Sequence, residues 1–195
     1  NESDNKAYLN RVDPLKKQEF VSNEDRGDLS PLTPPEADHP PSSVKVPYEQ
    51  MHGYIRHYMD EHSAIIRILD LFETDLKHLS ETKIVDQRLQ KNISLFFEIF
   101  LNEFIPHNQR EEREFFPLLE KCFLEIGEHS NTSKPVTPID IMYKEHVEAL
   151  LLAIESQSYW RVLEFLKEES DRIKVLASFL KKSFALIEIM RLHIF

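Results

Sequence analysis

Four histidines and one glutamate stand where apolar residues belong. His62, His107, His146 and His193 each fall within a run of apolar residues spaced three or four positions apart, and Glu111 follows His107 by one helical turn. An unpartnered polar group on an apolar face costs roughly 2–7 kcal/mol, so five of them require partners. The intervals match in pairs: 45 positions separate His62 from His107, and 47 separate His146 from His193. Glu61-His62 and Glu145-His146 each open an apolar half-helix, which strengthens the impression of two related helix pairs. Neutral imidazole is the commonest metal ligand, and a carboxylate adds a hard anionic donor that can bridge two cations. Mixed nitrogen and oxygen ligation suits iron, zinc or manganese better than copper(I). The expected site is therefore metal-binding, formed by His62, His107, Glu111, His146 and His193, with room for two ions roughly 3.5–4 Å apart.

The remaining polar residues are weaker candidates. His52 and His57 lie off the face of His62 at 3.6 residues per turn; His57 reads as a surface or end-of-bundle residue, with support of a ligand as the alternative. His39 falls in a proline-rich stretch, and His78 and His129 near helix ends, where a cation suits the dipole. Glu112 is about 100° round from Glu111 and is expected on a solvated face. Glu61 and Glu145 could support the histidines, but exposure is the expectation. Pro106, just before His107, either aims that imidazole by kinking the helix or is a tolerated bend. Phe96, Phe97, Phe100, Phe104, Phe115 and Phe116 read as core, which would keep such a site dry.

Long helices must position these groups. Apolar periodicity predicts four. The first runs from about Pro47 to Leu79, with Ile55, Met59, His62, Ile65, Leu69, Phe72 and Leu76 on its stripe. The second runs from about Ile84 to Ile126, with Ile93, Phe97, Phe100, Phe104, His107, Glu111, Phe115, Leu118 and Cys122, and stops at Gly127. The third spans Pro138 to Gln157, carrying Ile139, Met142, His146, Leu150 and Ala153. The fourth starts near Tyr159 with a less regular stripe of Ile173, Leu176, Leu180, Phe184, Ile187, Met190 and His193. Helices of this length with short connections favour an all-α, antiparallel up-down four-helix bundle over residues 47–195. Residues 1–46, polar and rich in proline, read as a disordered tail or linker with a short helix around Lys6–Phe20.

Composition narrows the function classes. Only three glycines in the chain argue against a turn-rich β fold. A net charge of −10 disfavours nucleic acid and anionic membranes as partners, since those contacts need clustered Lys and Arg. No apolar run approaches the roughly 18 residues of a spanning helix. Cys122 is the lone cysteine, which fits a reducing compartment and a cytoplasmic location. No G-x-G-x-x-G signature for a nicotinamide or flavin is present, so redox turnover would need electrons from a partner. The chain opens at Asn1 and closes at Phe195 within an apolar pattern, and a longer parent sequence is expected.

The segment His107-Asn108-Gln109-Arg110-Glu111-Glu112-Arg113-Glu114-Phe115-Phe116-Pro117 resembles the His-x-x-x-Glu-Glu-x-x-Leu/Phe-Phe-Pro motif of the hemerythrin-like, HHE cation-binding family. The Glu-His steps at His62 and His146, and Leu192-His193-Ile194, are similar to its other segments, so the resemblance covers about residues 47–195. It implies a bundle with two non-haem iron ions, oxo- or hydroxo-bridged, on His62, His107, Glu111, His146 and His193; zinc or manganese is less expected. The family's fourth segment reads His-x-x-x-Glu, and that glutamate would fall beyond Phe195. The oxygen carriers of the family have a further histidine one turn from the third-helix ligand, where this chain has Met142 and Leu150. The set is closer to the four-histidine, two-carboxylate type, which implies handling or sensing of iron, O2 or NO rather than simple carriage. The competing expectations are a redox enzyme on the same site, reducing peroxide or nitric oxide or repairing iron–sulfur clusters, and a metal-free helical interaction module. A binding or sensing module is favoured over a catalyst, with its protein partner unidentified.

Overall fold

The structure, a computed structural model, describes residues 46–130 and 135–194, and every structural statement concerns those residues. The tail expected over residues 1–46 lies outside them except for Val46, as does Phe195. All regular elements are helical. A single 3-10 turn, Tyr48–Gln50, precedes helix α1, Gly53–Thr82. A second rod covers residues 87–126 in five pieces. These are α2 (Gln87–Ile99), a π turn (Phe100–Phe104), α3 (Ile105–Arg110), another π turn (Glu111–Phe115) and α4 (Phe116–Ile126). Helices α5 (Pro138–Leu163) and α6 (Glu169–Ile194) complete four rods. No helix is long and apolar enough to cross a membrane.

Local chemistry fixes the ends. The His52 ring caps α1 by accepting the Tyr54 N–H at 3.2 Å, so the helix begins at Gly53 and not at Pro47. Lys83 ends it in the left-handed region at φ 58°. Asp86 caps α2 through the Leu89 N–H at 2.7 Å, and Gly127 stops α4 at φ 81°, where a glycine is unstrained. Thr137 and Asp140 form a reciprocal capping box around Pro138. Helix α5 runs on to Leu163, past the expected Gln157, because Trp160 and Leu163 continue its buried face and nothing before residue 164 breaks it. The fourth helix accordingly begins at Glu169 and not near Tyr159.

The second rod departs most from expectation. Leu89 and Phe116 are both fully buried, yet the 27 positions between them exceed seven turns of 3.6, about 25 residues, by roughly two. The two π turns absorb that surplus, each closed by a wide i→i+5 bond: the Ile105 N–H donates to the Phe100 carbonyl, and the Phe116 N–H to that of Glu111. Pro106 and Pro117 each follow one of these turns. The phase slip corrects the predicted stripe beyond Glu111. Phe116 is 0% exposed, whereas Leu118 is 59% exposed and Cys122 also faces outward. On α1, Ile55 and Met59 turn out and Tyr58 takes the buried place; on α6, Ile173 is exposed and Leu176 buried.

Contacts between neighbouring rods advance on one as they retreat on the other. Tyr54 meets Glu114, Glu61 meets Arg110, and Asp75 meets Arg88. Tyr143 packs on Phe116, and Trp160 reaches Ser94. His146 meets His193, while Trp160 packs on Phe179. Arg191 ties α6 to α1 through Asp70 and Glu73, two residues before His193.

Candidate metal centre

All five residues singled out by the sequence converge on one point in the interior. Glu111, only 1% exposed, lies at the centre and points one carboxylate oxygen at each of two histidine pairs. Its Oε1 is 3.2 Å from His62 Nε2 and 3.4 Å from His107 Nε2, and those two nitrogens are 3.1 Å apart. Its Oε2 is 3.2 Å from His146 Nε2 and 3.3 Å from His193 Nε2, which again lie 3.1 Å apart. The result is two near-equilateral triads sharing one carboxylate, with each rod contributing a histidine. The second π turn starts at Glu111 itself, so the phase change falls at the shared residue.

The other face of three imidazoles is held by carboxylates that sequence reasoning expected in solvent. His107 Nδ1 donates to Glu61 at 2.8 Å, His146 Nδ1 to Glu112 at 2.8 Å, and His193 Nδ1 to Glu145 at 3.3 Å. Glu145 is buried, and Glu61 is further pinned by Arg110. These are corrections with one geometric reason. A residue next to a core-facing one is rotated by about 100°, which in packed rods brings it to the neighbouring rod, with Glu61 and Glu112 still partly exposed and Glu145 buried. Glu61, adjacent to His62, therefore reaches His107; Glu145, adjacent to His146, reaches His193; Glu112, adjacent to Glu111, reaches His146. The Glu-His dipeptides were the available signal. His57, exposed, touches the same Glu61 at 3.6 Å but does not reach the centre.

A proton held on Nδ1 by a carboxylate leaves the Nε2 lone pair facing inward, the tautomer a metal ion requires. Burial by itself would raise the Glu111 pKa, but hydrogen bonds from the four imidazoles outweigh it and hold the carboxyl far below the usual range. Burial would likewise lower that of His193, yet its hydrogen bonds to Glu111 and Glu145 push it up to about 9. Glu61 is held low by His107 and Arg110 against the opposing effect of burial. The centre thus concentrates anionic and donor groups that a cation would neutralise and join.

The donor set fits such an ion. Ligands at right angles around a cation at bond lengths of about 2.1 Å lie about 3 Å apart, close to the edges of both triads. The two groups His62–His107–Glu111 and Glu111–His146–His193 could each hold a metal ion. His62 is the most accessible of the four histidines, and Tyr58 closes the same end by packing against Phe115 and the His107 ring. No protein-family model, curated protein or solved structure matches this chain.

Proposed function

We propose that this chain is a hemerythrin-like, antiparallel up-down four-helix bundle that holds two non-haem metal ions and handles or senses iron, O2 or NO in the cytoplasm. The observation that carries this reading is Glu111, whose two oxygens each complete a triad of two imidazoles and one carboxylate. That triad is the ligand pattern of non-haem iron sites with open coordination positions, which favours iron over zinc or manganese. The ions would supply reversible redox chemistry toward a small diatomic ligand. The chain's own residues do the rest. Glu111 would bridge the ions; Glu61, Glu112 and Glu145 fix the tautomer and orientation of three imidazoles; the buried Phe104 and Phe116 keep bulk water from the centre. The exposed edge of His62 is the side from which a diatomic molecule would arrive.

The test is stoichiometric loading. The full chain, supplied anaerobically with Fe(II) and desalted, should retain two irons by elemental analysis and develop a charge-transfer absorption band on exposure to air. His107→Ala combined with His146→Ala should remove both. Retention of no metal by the folded parent after loading with iron, zinc or manganese would sink the proposal.

A further inference from the structure

Helix α5 is apolar on two opposite faces. Its inner face, with Ile139, Ala149, Ala153, Trp160 and Leu163, is buried in the protein. Its outer face carries Tyr143, Val147, Leu150, Leu151 and Ile154, exposed by 37% to 58%. The outward side of a surface helix is normally charged and polar, so an apolar stripe there is unusual. Leu101 of the second rod extends the patch, sharing a groove with Leu150, Ala153 and Ile154. Together these side chains expose roughly 400–500 Å² of contiguous apolar surface, within the range that marks interaction sites on single chains.

The stripe is nearly symmetric about Ala149. Val147 and Leu151 stand two positions either side of that point, and Tyr143 and Ile154 stand six before it and five after it. Lys144 and Glu155 bracket the same point and are eleven residues apart, about three turns, so they occupy one flank. Among the described residues no carboxylate pairs with Lys144. Glu155 meets Lys182 at 2.6 Å and has a second oxygen to offer. A two-fold axis near Ala149 would set two copies of the stripe antiparallel, apolar against apolar, with each Lys144 opposite Glu155 of the other copy. Such self-complementarity is what an isologous contact requires.

We infer that the outer face of α5 pairs with itself in a second copy of this chain, forming an antiparallel homodimer. The stripe supplies roughly half of the about 800 Å² per partner found in standard interfaces, so the dimer is reversible. This inference does not depend on the metal reading, because the stripe faces away from the centre.

Sedimentation velocity of the full chain over a range of concentrations tests it. A concentration-dependent shift from monomer to dimer is expected. Leu151→Glu with Ile154→Glu, both already exposed, should weaken association at least a hundredfold while the helical circular dichroism is retained. Lys144→Glu and Glu155→Lys should each weaken self-association about tenfold, and an equimolar mixture of the two should recover the parent's affinity. A monomer up to several hundred micromolar overturns the inference. So does a dimer indifferent to the Leu151 and Ile154 changes, or one whose charge variants fail to rescue each other. The same series on metal-free protein carrying Glu111→Ala should give the same dimer, which separates this result from the fate of the metal proposal.

Discussion

The same four rods carry two adjoining layers built on opposite terms. In one, Phe72, Phe96, Phe97, Phe100 and Phe104 are all buried, with the Phe72 and Phe96 rings stacked at 3.6 Å and Phe104 set edgewise against Phe96 and Phe100. This layer is complete in itself, since every ring gains from leaving water and none needs a counter-charge. One turn further, from Phe104 to His107, the interior becomes four imidazoles around a buried carboxylate. There, burial of ionisable groups is opposed by the hydrogen bonds they make to one another. The difference separates a layer of rings that need no partner from a layer of ionisable groups that do. On the proposed metal reading, the aromatic layer stabilises unconditionally and the histidine layer gains further when an ion is bound.

Removing the shared carboxylate should give the largest effect. Glu111→Ala takes one donor from both triads at once, and metal affinity should fall at least about a thousandfold, equivalent to about 4 kcal/mol. Titration of metal-free protein with Fe(II) or Zn(II), followed calorimetrically, measures it. If the variant still bound two ions as tightly as the parent, the layer would owe nothing to Glu111. The matching change in the other layer, Phe104→Ala, should cost about 3–5 kcal/mol in denaturant unfolding, and by the same amount with or without metal. By contrast, the parent protein should gain stability on metal addition in proportion to RT ln(1 + [metal]/Kd), about 4 kcal/mol at a thousandfold excess over Kd.

The two layers also differed in how readily the sequence disclosed them. The five central residues were legible because an ionisable side chain at an apolar period is costly unless something repays it, and here the anomaly recurred once per helix. The all-helical class was equally plain from the periodicity. Glu61, Glu112 and Glu145 were misjudged because one-dimensional periodicity sorts residues into inward and outward, whereas packed rods have a third direction, toward each other. The π turns were invisible for a related reason. Steps of three and four remain acceptable at every point along Phe97, Phe100, Phe104, His107 and Glu111, and only the long count from Leu89 to Phe116 reveals the surplus. The helix ends at Leu163 and Glu169 were missed because residues 164–168 contain neither glycine nor proline.

The flanking carboxylates sharpen the contrast at a smaller scale. Glu61→Ala and Glu112→Ala each release an imidazole from its tautomer-fixing partner, and metal affinity should drop about 10- to 100-fold. Unfolding of the metal-free variants should change far less, because both carboxylates are partly exposed. Equal losses in the two forms would mean that these groups serve the fold and not the centre.

Acidity gives a further separation. The pKa of His193 is raised to about 9 in the folded, metal-free protein, against an ordinary value near 6.5. Its contribution is therefore fully present below about pH 6.5 and is lost as pH rises through about 9. Metal-free protein should unfold at lower denaturant concentrations at pH 10 than at pH 7. Metal-loaded protein should not follow that titration, because the ion has already displaced the proton. Proton release on loading near pH 7.5, read as a buffer-dependent calorimetric heat, tests the same linkage.

The smallest expected effect decides what causes the π turn ahead of His107. Proline lacks an N–H and crowds the carbonyl four residues back, so Pro106 could itself force the wide turn at Phe100–Phe104. The alternative cause is register: Leu89, Phe104, His107 and Phe116 can all face inward only if the rod gains residues beyond α-helical spacing. The second explanation predicts that Pro106→Ala leaves the turn in place. Burial of Phe104 on one side and the His107–Glu61 bond on the other hold it there, and relaxing it would swing His107 by about 100°. Stability should then change by less than about 1 kcal/mol, and metal affinity by less than about threefold. Under the first explanation the rod would anneal to a regular helix, carry His107 off the centre, and lose metal as severely as Glu111→Ala. Metal titration of this one variant tells the two causes apart.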